Sequence, residues 1–479
     1  MSRTNPPQAP PPQLPWIEVS PGAPYFQTDR GESWAPIGQN DAITWQDLEG
    51  LFRRRDLAGV ERYLADLAAH GVTCLRLMME YAQGRYRYFE RPAGAFNPAM
   101  VQLWDDLFDL CARHGLRILL TPFDTFWMWK KWKHHPYNRA NGGPCRARSG
   151  LLTCPRTREA IKRRLLFATE RWGGSGVLFA WDLWNELHPA YGGDDPGCFA
   201  ELIQDLSDTL RRREIELHGR AHPQTVSIFG PLLVTHPGVE EPILRHPALD
   251  FHSIHLYEQG TIDHPRNTVE AAAAVGRLMR EALAEVPPER PFLDSEHGPI
   301  HTFKDHHRTL PEPFDDEYFR HIQWAHLASG GAGGGMRWPN RNPHRLTPGM
   351  RDAQQAFAGF LPLIDWTRFR RRNLNFEVEV EGRGCVGFAC GDEAQAVVWL
   401  LRVDRLDRKG RVRADAEPVA ATVAIPGLGA GRYRVTPWAT VEGKCLGCFE
   451  AVHAGKGKLA VPLPPLRTDL AVAVRRVLS

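Results

Sequence analysis

The sequence predicts an α/β fold, a (β/α)8 TIM barrel followed by a small all-β sandwich domain, and three observations lead to this fold class. Short apolar runs alternate with helical segments from about residue 35 to about residue 365,. After Arg372 the helical segments give way to short strands that recur about every ten residues,. The length of 479 residues suits one large and one small domain,.

Eight apolar runs in the first part are the candidate barrel strands, because strands that alternate with helices are typical of parallel sheets. They are Ala35–Asn40, Val72–Met78, Leu116–Pro122, Val177–Leu183, Thr225–Phe229, Asp250–His255, Pro291–Asp294 and Gly333–Trp338. A doubly wound open sheet is the competing fold. It is disfavoured because no glycine-rich phosphate-binding turn follows the first run,.

Helical periodicity fills the intervals between these strands. Gly59–His70 has apolar residues at helical spacing, and Gly71 directly after it is typical of a helix end,. Asn97–His114 starts with an Asn cap and has Pro98 in its first turn,. The other predicted helices are Thr157–Trp172, Phe199–His218, Thr268–Val286, Asp316–Ser329 and Pro348–Ile364.

The last hundred residues are predicted to form the β-sandwich. Its candidate strands are Asn375–Glu381, Ala394–Val403, Val419–Ile425, Tyr433–Thr440, Lys458–Leu463 and Asp469–Val474. We therefore expect a Pro-rich disordered tail over 1–15, the barrel over 16–370 and the sandwich over 371–479. The sandwich is expected to brace the barrel rather than to bind glycan, since its apolar strands are needed for its own core.

Composition excludes several classes of function. The net charge of +3 gives no concentrated basic surface, which disfavours a nucleic-acid or membrane-surface partner,. No apolar run is long enough for a membrane span or a secretory signal, so a cytoplasmic location is expected, with secretion left open,. The pattern gives no oligomeric state.

We expect no cofactor and no catalytic metal, because the first strand ends in Gln39-Asn40 rather than in a His-x-His pair. The nine cysteines lack the spacing of a disulfide framework; Cys74 and Cys111, inside apolar segments, are expected to be buried thiols, and the others are expected to be paired or free,. A zinc site is the alternative for four of them, which are Cys385, Cys390, Cys445 and Cys448,.

Two glutamates follow predicted strands on opposite sides of the barrel. Glu186 follows the fourth strand in WNELHP, and Glu296 follows the seventh in SEHG. Active sites of such barrels lie at the carboxyl ends of the strands, so both carboxylates should face one mouth. Cleavage of a glycosidic bond requires such a pair, one to protonate the leaving oxygen and one to attack the anomeric carbon.

Other polar residues at strand ends fit this chemistry. Arg76 lies inside the apolar second strand and needs a carboxylate partner, for which Glu296 is the candidate,. The sixth strand ends in His255-x-Tyr257, and a Tyr hydroxyl can donate to a carboxylate and keep it ionised,. Trp338, at the end of the eighth strand, can form a floor under a sugar ring.

Together these residues resemble clan A glycoside hydrolases, in particular the cellulase- and mannanase-like family 5. The matching pieces are Arg76, Trp184-Asn185-Glu186, His255-x-Tyr257, Glu296, Trp338 and the lead-in segment from Pro24 to Asn40. The resemblance covers roughly residues 24–365. It implies a retaining mechanism in which Glu186 is the acid/base and Glu296 is the nucleophile.

The resemblance also implies the supporting roles. Asn185 would bind the sugar 2-hydroxyl, Tyr257 would orient Glu296, and His255 would support the acid/base or the substrate. Two features depart from the family pattern. Leu187 and His188 stand before Pro189, and the third strand ends in Asp124 where the family often has a His. We expect Asp124 to be a supporting residue of the site.

The segment 125–143 after the third strand interleaves Trp127, Trp129 and Trp132 with lysines and histidines. We interpret it as a loop, either a solvated basic face anchored by aromatic residues or a lid in which Trp129 is a sugar platform. The loop after the eighth strand adds further basic residues, namely Arg337, Arg341, His344 and Arg345. Two basic loops at one mouth favour an anionic sugar as one hypothesis.

The function predicted from the sequence is therefore retaining hydrolysis of β-linked glycans or oligosaccharides, with carbohydrate as the partner molecule. β-Mannosides and β-glucosides are the substrates that the resemblance implies. Two alternatives stay open. A transglycosidase would use the same carboxylates with a sugar as acceptor, and a catalytically silent sugar-binding protein would keep only the aromatic mouth.

Overall fold

Parallel strands in chain order form the centre of the molecule. The structure, a computed structural model, describes residues 12–82, 88–192, 197–257, 265–299 and 309–477. We count the strands as first to eighth, with the fifth in two pieces. They are Gly38–Asp41, Cys74–Met78, Arg117–Thr121, Leu178–Asp182, Gln224–Thr225 with Ser227–Phe229, His252–His255, Phe292–Glu296 and Met336–Arg337.

The hydrogen-bonded order follows the predicted order of strands. One sheet runs from the eighth strand through the first to the first piece of the fifth, and a second sheet holds the rest of the fifth, the sixth and the seventh. Only Val226 separates the two pieces of the fifth strand. On the other side, a parallel bridge joins His297 to Arg337, and Trp338 N donates to His297 O at 2.7 Å.

Helices follow the strands, as the periodicity predicts. The long helices are Leu57–Ala69, Pro98–Arg113, Pro155–Trp172, Gly197–His218, Thr268–Glu285, Glu312–Ala328 and Pro348–Phe360. Caps explain where several begin: the Asp56 side chain accepts from Gly59 N, and the Asn97 side chain accepts from Ala99 N,. Shorter helices are Thr125–Lys131, Pro231–Thr235 and Glu240–Leu244. No helix among the described residues is long and apolar enough to cross a bilayer.

Our prediction that the segment after the third strand is a loop is wrong in part, because this segment begins with the helix Thr125–Lys131. The Asp124 carboxylate caps this helix by accepting from Phe126 N and Trp127 N. Lys131 then lies over the Trp127 ring one turn back, at 5.4 Å from its centroid,. Capping and these contacts along one face give the segment a helical start that its mixed composition conceals.

A small three-stranded antiparallel sheet precedes the first of the eight parallel strands and covers the end of these strands opposite the glutamates. It consists of Ile17–Val19, Phe26–Thr28 and Ser33–Trp34. The Phe26 ring packs edge-on against Phe179 and Phe251, at centroid distances of 4.9 and 5.3 Å. Both partners lie at the start of their strands, so this small sheet covers the apolar core at the amino-terminal ends of the parallel strands. Residues 1–11 of the predicted Pro-rich tail lie outside the described residues.

The C-terminal part contains two antiparallel sheets. The larger is formed by Arg372–Asn373, Cys385–Gly391, Gln395–Arg402, Asp469–Arg476, Gly431–Ala439, Lys444–Cys445 and Phe449–His453, and the smaller by Glu379–Glu381, Val419–Ile425 and Leu459–Leu466. One apolar cluster is common to both sheets and includes Val398, Val423 and Val461. The predicted strand Asn375–Glu381 is wrong over its first half, because Leu374 O accepts from Glu377 N and Val378 N in a turn.

The opposite face of the larger sheet packs on the helices behind the seventh and eighth strands. Trp399 is fully buried, 5.5 Å from the His321 ring, and belongs to the same apolar cluster as the barrel core. Trp438 donates through Nε1 to Ala356 O at 3.1 Å and contacts Phe360. The two parts of the chain therefore share one apolar core.

Replacing Trp399 with alanine should destabilise the whole chain, since the cavity lies where the two parts meet. We expect a loss of about 3–5 kcal/mol in the free energy of unfolding. Urea unfolding followed by tryptophan fluorescence and by far-UV circular dichroism measures it. Val452→Ala is the control, because that side chain is 75% exposed and its loss should change little. Equal midpoints for the two variants would contradict a shared core.

Candidate active site

The predicted polar residues come together at the carboxyl ends of the strands. Hydrogen bonds, direct or through Ser227, connect seven of them into one network, which comprises Arg76, Asp124, Asn185, Glu186, His255, Tyr257 and Glu296. Trp338 joins it through the backbone, next to the end of the seventh strand. Trp129 is the predicted residue that the network does not include. Its ring is 54% exposed, with the Arg148 guanidinium 5.0 Å from its centroid.

The two glutamates face each other across His255. His255 Nδ1 lies 2.7 Å from Glu186 Oε1 and 3.8 Å from Glu296 Oε2. One ligand-type atom from each of the three residues lies within 4.8 Å of the other two. Carboxylate oxygens of Glu186 and Glu296 are therefore close enough to act on a single bond.

Arg76 is the buried centre of this network. Its guanidinium contacts Glu296 Oε2 at 3.1 Å, as the sequence predicts, and contacts Asp182 Oδ2 at 2.7 Å. It also donates to the side-chain oxygens of Asn40 and Asn185. Arg76 and Asp182 are fully buried, and a buried guanidinium is stable only when its charge is paired in this way,.

Glu186 has an unusual backbone conformation. Its φ of 52° lies in the left-handed region, which costs a non-glycine residue about 1–2 kcal/mol,. Glu186 N donates to the Ser227 hydroxyl at 3.3 Å, and this contact with the fifth strand holds the turn. Strain of this kind is concentrated at functional sites, where a side chain has to be aimed.

Burial gives the two glutamates raised pKa values. Burial, with the nearby Asp182 charge, raises the pKa of Glu186 to about 7, and the Arg76 charge only partly opposes this. Burial and the Glu186 charge also raise the pKa of Glu296, but Arg76 and the Tyr257 hydroxyl bond directly to its carboxylate and lower it. The cation and the hydroxyl donor bonded to Glu296 oppose this rise and favour its ionised form, whereas Glu186 has no such bonded partner among the described residues,.

His255 and Tyr257 are held in defined protonation states. Burial lowers the pKa of His255 to about 4, so its imidazole is neutral. Its Nε2 lies 3.1 Å from the Ser295 hydroxyl, which leaves Nδ1 to bond Glu186. Burial raises the pKa of Tyr257 well above its ordinary value, so the phenol stays protonated and donates to Glu296 Oε1 at 2.9 Å.

Asp124, which stands at the end of the third strand where the family often has a His, orients Asn185. Asn185 Nδ2 donates to Asp124 Oδ1 at 2.6 Å, while Asn185 Oδ1 accepts from Arg76. These two partners fix which end of the amide is the donor. The other carboxylate oxygen of Asp124 caps the helix that carries Trp129, so one side chain connects the site to this helix.

The basic residues after the eighth strand are paired with acids. The guanidinium groups of Arg337 and Arg341 both contact the buried Asp315 carboxylate, the first at 2.6 Å. Arg345 pairs with Asp47. In the segment after the third strand, His135 is buried against Glu80. The three arginines after the eighth strand, which contributed to the anionic-sugar hypothesis, are therefore paired within the protein.

Among the residues that the structure describes, one group of side chains has the spacing of a metal site, namely Glu186, His255 and Glu296. His255 Nδ1 is already bonded to Glu186, so this group suits proton transfer without a metal. The four cysteines of the zinc alternative differ in burial: Cys390 is buried, Cys385 is partly buried, and Cys445 and Cys448 are exposed. They form no metal-like group within the described ranges.

Four site residues were missed by the sequence analysis: Asn40, Asp182, Ser227 and Ser295. Asp182 carried a usable signal, because it is a charged residue in the apolar fourth strand and matches Arg76 in the second. Ser227 and Ser295 carried none, since a buried serine in a strand is common. Asn40 donates to Ser295 O at 2.9 Å and so connects the first strand to the seventh.

Solved structures share this architecture. A glycoside hydrolase family 5 protein from Bacteroides vulgatus ATCC 8482 superimposes with a TM-score of 0.58 at 12% identity, covering 96% of this chain and 93% of its own. The chain has the fold of glycoside hydrolase family 5. A second structure, described as a glycoside hydrolase, gives a TM-score of 0.56 at 13% identity over 96% of this chain and 97% of its own.

A third family 5 structure, from Streptomyces cattleya, holds the disaccharide Manβ1-4GlcNAc. It gives a TM-score of 0.50 at 16% identity, covering 68% of this chain and 81% of its own. No protein-family model and no curated protein matches the sequence. The structural comparisons thus confirm the predicted family 5-like fold.

Replacing Arg76 with methionine should destabilise the protein strongly, because Asp182 and Glu296 would lose their buried counter-charge. Removing one partner of a buried pair typically costs about 3–5 kcal/mol. Thermal unfolding measures the loss, and Arg76→Lys should recover part of it. Arg213→Met is the control, since Arg213 pairs with glutamates on the surface. An equally small change in the unfolding temperature of Arg76→Met and of Arg213→Met would contradict the central role of Arg76.

Proposed function

We propose that the protein is a retaining β-glycoside hydrolase in which Glu186 is the acid/base and Glu296 is the nucleophile. The observation that carries this proposal is the distance between the carboxylates, whose oxygens lie within 4.8 Å of each other. Retaining enzymes place their carboxyl groups about 5–5.5 Å apart, whereas inverting enzymes need about 6.5–9.5 Å to admit a water molecule.

The first step is formation of a glycosyl-enzyme. Glu296, ionised by its contacts with Arg76 and Tyr257, attacks the anomeric carbon. Glu186 gives its proton to the glycosidic oxygen, so the leaving group departs as a neutral alcohol. The raised pKa of Glu186 keeps that proton available near neutral pH.

The second step returns the enzyme to its starting state. Glu186, now ionised, takes a proton from water, and the water oxygen attacks the anomeric carbon as the bond to Glu296 breaks. The product keeps the β configuration because two inversions have occurred. His255, bonded to Glu186, positions that carboxylate in both steps.

The remaining residues hold the sugar. Asn185, oriented by Arg76 and Asp124, presents its amide to the 2-hydroxyl beside the cleaved bond. Trp338 forms the floor of this subsite. We further propose a closed (β/α)8 barrel over 16–370, with the strands joined through Val226 and the His297–Arg337 bridge, and a β-sandwich over 371–479 that braces it.

A neutral β-mannoside or β-glucoside is the favoured substrate. The Streptomyces cattleya structure, with its bound Manβ1-4GlcNAc, supports testing β-mannosides first. The anionic alternative loses support because the arginines after the eighth strand are paired. A transglycosidase would use the same two steps, with a hydroxyl group of an acceptor sugar in place of water.

Substitution of either glutamate should abolish or greatly reduce turnover of an aryl β-glycoside. Glu296→Gln removes the nucleophile and should leave no measurable rate. Glu186→Gln should lower kcat by about 10²–10⁴ for poor leaving groups and much less for dinitrophenyl leaving groups, which need no proton. Glu270→Gln, on an exposed helix face, is the matched control.

Proton NMR of the first product tests the stereochemistry of the same reaction. A β anomer released first agrees with the proposal, and an α anomer released first contradicts the retaining mechanism. Sugar binding without turnover in the unsubstituted protein would instead indicate a silent binder.

The pH profile of kcat/KM should be bell-shaped. Activity should fall as the pH rises through about 7, where Glu186 loses its proton,. It should fall on the acid side as Glu296 is protonated. Tyr257→Phe removes a donor that lowers the pKa of Glu296, so the acid limb should move to higher pH. An acid limb unchanged by Tyr257→Phe would contradict this role.

A further inference from the structure

Two loops at the mouth are fastened to each other. The first-strand loop (residues 42–48) and the eighth-strand loop (residues 338–346) are joined by the ion pair between Asp47 and Arg345, whose Nε–Oδ2 distance is 2.9 Å. The His344 ring stacks on Trp45 at 4.6 Å with an interplanar angle of 18°. These contacts connect the two loops directly above the first and eighth strands.

The eighth-strand loop is also anchored to the rest of the barrel. Asn340 Nδ2 donates to Pro299 O at 2.8 Å, and Arg341 pairs with the buried Asp315. His344 Nδ1 lies 3.0 Å from Pro339 O, which fixes the ring that covers Trp45. The eighth-strand loop therefore has partners besides the first-strand loop, and Ile43 and Leu48 of the first-strand loop are buried in the core.

The Trp45 ring is nearly perpendicular to the ring of Trp338, the proposed floor of the sugar subsite. Its ring centroid lies 5.2 Å from that of Trp338, and the two ring planes meet at 81°. If Trp338 lies flat under the sugar ring, Trp45 rises at the side of that ring. His344 covers one face of Trp45 and holds the ring at a steep angle to Trp338, in the position of a side wall.

The chemistry fixes which end of the substrate meets this wall. Glu186, on the fourth strand, protonates the leaving oxygen, so the leaving group lies on that side of the barrel. The eighth strand is diametrically opposite, and there Trp338 holds the sugar that becomes attached to Glu296. Any further sugar on the non-reducing side would point away from Glu186, toward Trp45 and His344.

We infer that the joined loops, through Trp45 and His344, close the glycone side of the site after one sugar. The enzyme would then be exo-acting and would remove single β-linked sugars from the non-reducing end of an oligosaccharide. This inference rests on the proposed function and names its substrate class: a chain end bearing one unsubstituted terminal β-glycosyl residue.

The first test follows the products from β-1,4-linked mannopentaose and cellopentaose labelled at the reducing end. The expected first labelled product is the tetrasaccharide, accompanied by free monosaccharide. Early appearance of labelled di- or trisaccharide, with longer unlabelled fragments, would show internal cleavage and overturn the inference. Failure to hydrolyse any aryl glycoside or oligosaccharide would instead reject the proposed function on which the inference depends.

The second test removes the two side chains that are proposed to close the glycone side. A double variant, Trp45→Ala with His344→Ala, is compared with the parent on an aryl β-glycoside of a disaccharide and on that of a monosaccharide. For the first substrate, only aryl release accompanied by the intact disaccharide is counted, because that cleavage requires a second glycone sugar to fit. We expect the ratio of the two kcat/KM values to rise at least about tenfold, equivalent to about 1.4 kcal/mol.

A control separates this effect from a general change in the protein. Phe376→Ala removes another exposed aromatic ring, in the C-terminal part, and should leave the ratio unchanged. Arg345→Ala cuts the ion pair between the loops and should raise the ratio by less than the double variant. If the parent already releases the intact disaccharide, or if the double variant leaves the ratio unchanged, Trp45 and His344 are not the wall.

Discussion

A positive charge buried at the centre of the site is the constraint on which the other site residues depend. The Arg76 guanidinium is fully buried among the parallel strands, where an unpaired charge would be strongly unfavourable,. Asp182 and Glu296 together supply two negative charges around it, and Asn40, Asn185 and Ser227 accept its remaining donors. The first, second, fourth, fifth and seventh strands thus meet at one side chain.

The same charge distinguishes two glutamates that are otherwise similar. Glu296 bonds directly to Arg76 and Tyr257, whereas Glu186 bonds to the neutral His255 and its side chain is 19% exposed. Direct contact with a cation favours the ionised form, and burial beside a neutral partner favours the protonated form. One fixed charge therefore gives two residues of the same type different surroundings, and the proposed retaining mechanism uses that difference.

Much of this arrangement could be predicted because it lies in regular, repeated features. Strands and helices of the barrel appear within a few residues of their predicted positions, since apolar periodicity and caps such as Asn97 mark them. The two glutamates and Arg76 were visible as polar residues at the ends or in the middle of apolar runs. Trp129 has no described contact with this network, and its role as a sugar platform stays a prediction.

What the sequence did not reveal depends on contacts between distant segments. Arg337 and Arg341 looked like free charge at the mouth, because their partner Asp315 comes from the preceding helix, Glu312–Ala328. The helical start of the segment after the third strand depends on Asp124, whose carboxylate also bonds Asn185. Local composition gives no information about such pairings. They follow from the order in which the strands bring their ends together.

The topology of the larger C-terminal sheet has a consequence for how the chain is made. Its strand Asp469–Arg476, which follows every other strand of the sheet along the chain, lies between Gln395–Arg402 and Gly431–Ala439. During synthesis from the N-terminus, this sheet cannot be completed until that strand has emerged. Until then, the two strands that flank it have no partner between them, and the sheet that packs on the helices after the seventh and eighth strands is incomplete. Ribosome-bound intermediates of this protein should therefore be clients for chaperones that bind apolar surface, and release should coincide with insertion of the central strand.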